Sequence, residues 1–524
     1  MKKYTKEFKR EVEAMVADNW NITTTCRAAC IKYDIPYDDN VRRAMSLHLE
    51  KKGITNNTMV DDSDLFKEAQ KKQLDKTKSK FIVTWCQSET KINDNLLTNI
   101  EAYANHIGAD ISVIAGRYKN PTSLDADKRT KDKEERIAWD KRVVPYLDAN
   151  RHKVHKHLCI LSDLKIQPTA STPLSGINGL TGLESCIIGH PRVHLKSLPV
   201  LDGYPHKLLL TTGAISVENY TDTKVGKKGE FHHTLGFVVV ELDGNDFHVR
   251  QVTADEDGSF YDLELFVDNG EVSVHDGAEC IVFGDLHLGE TNNEALKTSF
   301  ELADNLKCNS IVLHDIADFH SISHHELKDP ISLLKREDDG SDNLKRELDN
   351  VVSFLKYKAD YNFTIVKSNH CVFIDRWIGS NDWRKSNNKR TYLELAYNLI
   401  NDPENKGVLP MYLKMNNLEN INCLGINDSY RVGDWELGVH GHLGTNGSRG
   451  GAMQFKNLNT KLITGHSHSC ERLDGLVTVG TMTKLRMNYN NGLSSWNHAN
   501  AVIYPNGKTQ LIIINKDSYK YTTI

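Results

Sequence analysis

The chain has 524 residues, 39% of them hydrophobic and 26% charged, with a formal net charge of -5. This suits a globular protein of about three domains, at roughly 100–200 residues each, and it excludes a global basic field as a signal of nucleic-acid binding. The 10 cysteines include no C-x-x-C pair, which argues against a zinc ribbon and for reduced, mostly buried thiols in a reducing compartment.

The N-terminus, MKKYTKEFKREVE, has no apolar core of a signal peptide, and no apolar run reaches the ~18 residues of a membrane span. The expected location is the cytoplasm, without membrane contact. Over residues 1–57, Phe8, Val12, Met15 and Val16 have helical spacing. Thr23–Thr25 offers a cap for a second helix bearing Cys26, Ala29 and Cys30. A turn at Tyr33-Asp34-Ile35-Pro36 leads to a third helix with Val41, Met45 and Leu49 on one face. Two helices about such a turn fit a helix-turn-helix with Arg42 and Arg43 outermost. The stretch resembles the N-terminal helix-turn-helix of transposase-like proteins, which implies DNA contacts by those two arginines. A helical module for packing or self-association fits the same pattern.

Residues 58–80 are polar and charge-rich and read as a linker or exposed helix. From Phe81 to residue 277 the pattern is that of an α/β domain. FIVTW, ISVIAGRY, HLCIL and KLLLTTG read as buried strands, while LLTNIEAYANHIG and RIAWDKRVVPYLD read as helices. GFVVVELDG, FHVRQVTAD and YDLELFV read as antiparallel strands with turns at Asp243-Gly244 and Asp257-Gly258. The pair His232-His233 and the run SGINGLTGLES read as loops.

Residues 278–524 repeat one device. CIVF runs into Gly284-Asp285-Leu286-His287, SIVL into His314-Asp315, and FTIVK into Ser368-Asn369-His370. WELGV runs into His440-Gly441-His442, and KLIT into Gly465-His466-Ser467-His468. Amphipathic helices, one with Leu296, Phe300, Ala303 and Leu306 and one with Leu344, Leu348, Val351 and Leu355, separate the first three. Those strands should therefore be parallel neighbours, with Asp, Asn and His converging at one edge. Oxygen donors and imidazoles without thiolates suit Mn²⁺, Fe²⁺ or Zn²⁺.

In this order the five motifs resemble the calcineurin-like metallophosphoesterases, whose pattern is Asp-x-His, Gly-Asp-x-x-Asp, Gly-Asn-His-Asp/Glu, His and Gly-His-x-His. The resemblance implies a β-sandwich flanked by helices, following the middle α/β domain and the small helical module. It implies that Asp285, His287 and His468 hold one divalent ion, that Asn369, His440 and His466 hold another, and that Asp315 bridges them. Mn²⁺ is the expected metal, with Fe²⁺, Zn²⁺ and Mg²⁺ as alternatives. A hydroxide between the ions would be the nucleophile, and His370 would assist the leaving group. Three positions depart from the pattern. His314 and Ser368 replace glycines, and Cys371 stands where the family has an acid to orient His370. Asp318, or else Asp375, is expected to supply that carboxylate. His320, His324 and His325 read as neighbours of the ligands or contacts for substrate.

Nuclease-type members of that family, the repair exonucleases, suggest a DNase. The Lys- and Asn-rich character resembles a bacteriophage early protein that degrades DNA. A phosphatase or phosphodiesterase for a small nucleotide and a metal-stabilised binding protein are the alternatives.

Overall fold

The structure is a computed structural model that describes residues 4–17, 22–54, 59–61, 64–118, 138–323, 330–380, 383–404, 406–456, 458, 460–487, 490–515 and 518–520. The chain is an α/β protein of two units, Met1–His194 with Leu209–Ser273, and Leu195–Leu208 with Val274–Ile524. No helix among the described residues is long and apolar enough to cross a membrane. All ten cysteines are free thiols, nine of them buried.

The first unit begins with helices Lys6–Ala17, Ile22–Lys32 and Asp39–Lys52. Their shared core is Phe8, Val12, Val16, Ile22, Cys26, Ala29, Cys30, Val41, Met45 and Leu49, one apolar face from each helix. Thr23–Thr25 lies inside the second helix rather than ahead of it, so it is not the cap its sequence suggested. The carboxylate of Glu13 takes both Lys52, at 2.7 Å, and His48, which ties the first helix to the third.

The stretch expected to be a linker or exposed helix carries a strand and a short helix. Met59–Asp61 pairs antiparallel with Ala138–Asp140, and Leu65–Ala69 forms a short helix. Beyond it, five strands run in the order Asp246–Thr253, Gly236–Asp243, Lys80–Gln87, Asp110–Gly116, Leu147–Asp148. Helix Asp94–Ile107 is capped by Asn93, whose side chain accepts from Leu96 N, and buries Leu96, Leu97, Ile100, Tyr103 and Ala104. RIAWDKRVVPYLD is not a helix. Its described part is strand Ala138–Asp140, a turn, a single 3-10 turn at Val144–Tyr146 and strand Leu147–Asp148. Pro145 biases Val144 away from the helical region and removes a donor, and β-branched Val143 and Val144 add to that bias. His232 closes helix Lys224–His232 instead of lying in a loop, and half-buried His233 bonds Tyr220 Oη and Ser216 O, both at 2.7 Å.

In the second unit six strands lie in the order Asn422–Cys423, Asn362–Ile365, Ser310–Leu313, Cys280–Val282, His498–Ile503, Thr509–Ile514. The first four are parallel, and the last two continue antiparallel. Parallel neighbours need crossovers. Helix Asn293–Asn305, capped by Asn292, and helix Leu344–Tyr357, capped by Asn343, serve as two of them. A second run of parallel strands, Trp435–Glu436, Lys461–Thr464 and Leu476–Thr478, ends in the hairpin partner Glu471–Leu473.

One buried ion cluster organises the first unit. Arg250 donates from Nε and Nη2 to Asp262, each at 2.9 Å, and from Nη1 to Glu241 at 2.6 Å, while Tyr103 Oη also bonds Asp262. Burial opposes the charge on Arg250, but the two carboxylates hold its guanidinium protonated. Asp262→Ala leaves that buried cation with Glu241 alone, and breaking such a pair costs about 3–5 kcal/mol. The expected outcome is a lowered urea midpoint for the first unit, followed by circular dichroism. An unchanged midpoint contradicts the assignment.

Candidate metal centre

Asp285, His287, Asp315, Asn369, His440, His466 and His468 all lie just past the carboxyl ends of strands in the second unit. Beside a group formed by His287, Asp318 and His370, the structure gathers the imidazoles and carboxylates of these residues into two groups. One atom each from Asp285, His287, Asp315 and His468 lies within 4.8 Å of the others, and the same holds for Asp315, His440 and His466. Asp315 stands in both. Its Oδ2 is 3.5 Å from His287 Nε2 and 3.1 Å from His440 Nε2. In the first group His468 Nε2 is 3.1 Å from Asp285 Oδ2 and 3.1 Å from His287 Nε2. Beside the second, Asn369 Oδ1 is 3.1 Å from His440 Nε2.

These spacings fit a metal. Two donors bonded to one ion at ~2.1 Å, with angles between octahedral and tetrahedral, sit about 3.0–3.4 Å apart. Asp285 Oδ1 and Asp315 Oδ1 are buried with no hydrogen-bond partner among the described residues. A buried carboxylate oxygen left so is costly unless a cation meets it. The donors are nitrogen and oxygen only, the set that borderline and hard divalent ions take.

The electrostatics agree. Burial pushes the Asp315 carboxyl up, but His440, His370 and His287 outweigh it and hold the group well below the usual carboxylate range. Asp285 is lowered in the same way, burial being outweighed by His468 and His440. Burial, helped by His440, pushes His466 down to about 4, so its ring is neutral at ordinary pH with a lone pair to give.

The backbone is bent to make this arrangement. His287, Asp315, His466 and His468 have φ of 43°, 43°, 73° and 59°, in the left-handed region that costs residues with a Cβ about 1–3 kcal/mol each. Hydrogen bonds hold them there, with His287 N donating to Asp315 O and His466 N donating to Asp285 Oδ2, both at 2.7 Å. Gly465 must be glycine, because a Cβ there would come 2.1 Å from Asp285 Oδ1.

Asp318 is the carboxylate beside His370. The Nδ1 of His370 is 2.7 Å from Asp318 O and 3.0 Å from Asp318 Oδ1. The same carboxylate takes His287 Nδ1 at 3.2 Å and also His320. Burial opposes charge on His370, yet Asp315 and Asp318 push it up to about 9; a cation sharing Asp315 would draw on the same negative charge. Asp375 serves elsewhere, bonding Lys367 and accepting from Val408 N at 2.8 Å. Cys371 is buried with Sγ 3.4 Å from Ser368 Oγ, and Ser368 Oγ accepts from Cys371 N at 3.2 Å, so both departures serve the start of helix Asn369–Ser380.

Some neighbours carried little sequence signal. His314 is fully buried and its Nδ1 lies 3.3 Å from His440 Nδ1, which fixes the far side of that ring. His442 is half-buried beside His440 and His466. The Trp496 ring lies 4.1 Å from that of His468. His324 and His325 lie outside the described residues. Of the two arginines on helix Asp39–Lys52, Arg43 is exposed, but Arg42 is half-buried and its charge acts on Tyr37 and Cys26. Arg42 is therefore not outermost; it follows Val41 on the edge of the apolar face.

Over 459 residues the chain is 32% identical to Protein A1 of Escherichia phage T5, a match covering 83% of this chain and 81% of that protein. The chain belongs to the A1 protein family. No protein-family model and no solved structure matches it. What this A1-family chain shows directly is a buried cluster of imidazoles and carboxylates able to bind divalent metal.

Asp315→Asn removes the negative charge common to both groups. The variant should retain less divalent metal per chain than the wild type after equal dialysis, measured by plasma mass spectrometry. Equal metal content would contradict the shared role of Asp315.

Proposed function

We propose that this A1-family chain is a metal-dependent phosphodiester hydrolase, a deoxyribonuclease of the calcineurin-like metallophosphoesterase type. The observation that carries the reading is the Asp315 carboxylate, which stands in both donor groups. A shared carboxylate suits two ions about 3.5–4 Å apart, the arrangement used for in-line displacement at phosphorus. Asp285, His287, Asp315 and His468 would hold one ion, and Asp315, Asn369, His440 and His466 the other, with Mn²⁺ the metal the donor set favours. When bound, the ions supply Lewis acidity and a nucleophile at neutral pH.

The remaining chemistry belongs to the chain. His370 Nδ1 is engaged by Asp318, which leaves Nε2 to hold a proton for the departing oxygen. Asp318 also fixes the His287 ring through Nδ1, so one carboxylate positions both a ligand and an acid. The relative in phage T5 supports a place in the host cytoplasm, where DNA is the substrate this reading assigns. Exposed Arg43 on the N-terminal helices is a candidate phosphate contact.

Plasmid and linear DNA incubated with Mn²⁺ should be degraded, and chelation should stop the reaction. Release of nitrophenol from simple esters with no cleavage of DNA would favour a small-nucleotide phosphoesterase instead. His370→Asn separates the acid from the ligands. A positioned acid contributes about 10²–10⁴-fold when the leaving group is an alkoxide that needs a proton. The variant should keep its metal and lose most DNA hydrolysis, yet lose much less activity on bis-p-nitrophenyl phosphate. Equal losses on the two substrates would move the proton to another donor. Arg43→Ala should weaken DNA binding and reduce its log-log salt slope by about one; an unaltered slope would make the helical module a packing element.

A further inference from the structure

Five rings form an unbroken series across the metal centre. Trp496 meets His468 at 4.1 Å, His468 meets His287 at 5.0 Å, His287 meets His370 at 4.8 Å, and His370 meets Phe373 at 5.0 Å between centroids. His287 and His468 are buried, but the aromatic rings at the two ends are only half-buried. Trp496 is also rigidly mounted. Ser494 pairs with Val200 through both backbone groups, at 2.9 and 3.0 Å, and Ser495 O accepts from Ser197 Oγ at 3.0 Å. On the other side Asn497 N donates to His468 O at 3.1 Å, and Asn497 Nδ2 donates to Ser197 Oγ at 2.9 Å. A large ring is thus held in fixed relation to His468 with part of its surface in solvent. Phe373 sits one helical turn after His370 on helix Asn369–Ser380 and is fixed relative to it in the same way.

Resting on the phosphodiesterase reading above, we propose that Trp496 and Phe373 stack on nucleobases either side of the scissile phosphate, and that the substrate is a nucleic-acid strand unpaired at that step. Every base offers a π-face, so rings placed this way grip a strand without reading its sequence. Bases inside a duplex are already stacked on their neighbours, and reaching a protein ring requires unpairing. The site therefore takes single strands or frayed ends ahead of intact duplex. The indole and the phenyl bind; they do no chemistry.

The test uses the full chain with Mn²⁺ and two single-stranded oligonucleotides, one normal and one with abasic residues on both sides of a single cleavable phosphodiester. The wild type should cleave the normal strand with a kcat/KM roughly tenfold or more above the abasic one, the worth of one stacked base. Trp496→Ala should lower that ratio severalfold, Trp496→Ala with Phe373→Ala should bring it close to one, and Trp496→Phe should keep most of it. A wild type that does not discriminate overturns the proposal. So does Trp496→Ala slowing both strands equally with the ratio intact, because the indole would then act only by shielding His468. A wild type that cleaves neither strand, nor any duplex, overturns the hydrolase reading and this inference with it.

Discussion

Asp285 and Asp315 sit at the ends of neighbouring parallel strands, both buried, and a third carboxylate, Asp318, is buried beside them. Three carboxylates withdrawn from water at one point would be prohibitive without positive charge close by. His370 and His440, whose protonated forms these carboxylates favour, supply part of the compensation, but Asp285 Oδ1 and Asp315 Oδ1 have no hydrogen-bond partner among the described residues. This deficit of positive charge is the constraint on which the rest of the second unit depends. It explains why nitrogen and oxygen donors crowd to about 3 Å of one another where ordinary packing would place apolar groups.

The fold meets that constraint through its strand ends. Parallel strands all deliver their carboxyl termini to one edge, so each crossover returns a fresh ligand to the same place. The remaining adjustment is made by the backbone, which turns left-handed at His287, Asp315, His466 and His468 and is held there by hydrogen bonds within the site. Strain concentrated at four donors and bound in place is consistent with donors whose positions matter more than their conformational comfort. Gly465 allows the Asp285 carboxylate to approach the strand that carries His466 and His468.

Much of this was legible in the sequence, for definite reasons. Short apolar strands ending in Asp, Asn or His, separated by helices with clear apolar stripes, imply parallel neighbours and a common edge without any knowledge of side-chain packing. Asp318 is preferred to Asp375 from its place in the Asp-x-x-Asp motif although it lies 52 residues from His370, and the fold brings it, not the nearer Asp375, against that ring. Trp496 carried no signal at all, because a loop tryptophan has no periodicity to place it. RIAWDKRVVPYLD misled because its apolar residues happen to fit helical spacing while Pro145 and two valines oppose a helix locally. Arg42 misled because one step along a helix from a buried valine is a half-buried position, not an outer one. Residues 58–80, read as a linker or exposed helix, hold the short helix Leu65–Ala69, and they add a strand because Ala138–Asp140 offers them an edge.

The central claim is that Asp315 is shared by two metal ions. Crystals grown with Mn²⁺ and measured at its absorption edge test it most directly. The account predicts two anomalous peaks about 3.5–4 Å apart, each about 2.0–2.2 Å from an oxygen of Asp315. A single peak, or two peaks of which one lies beyond the reach of Asp315, would contradict it.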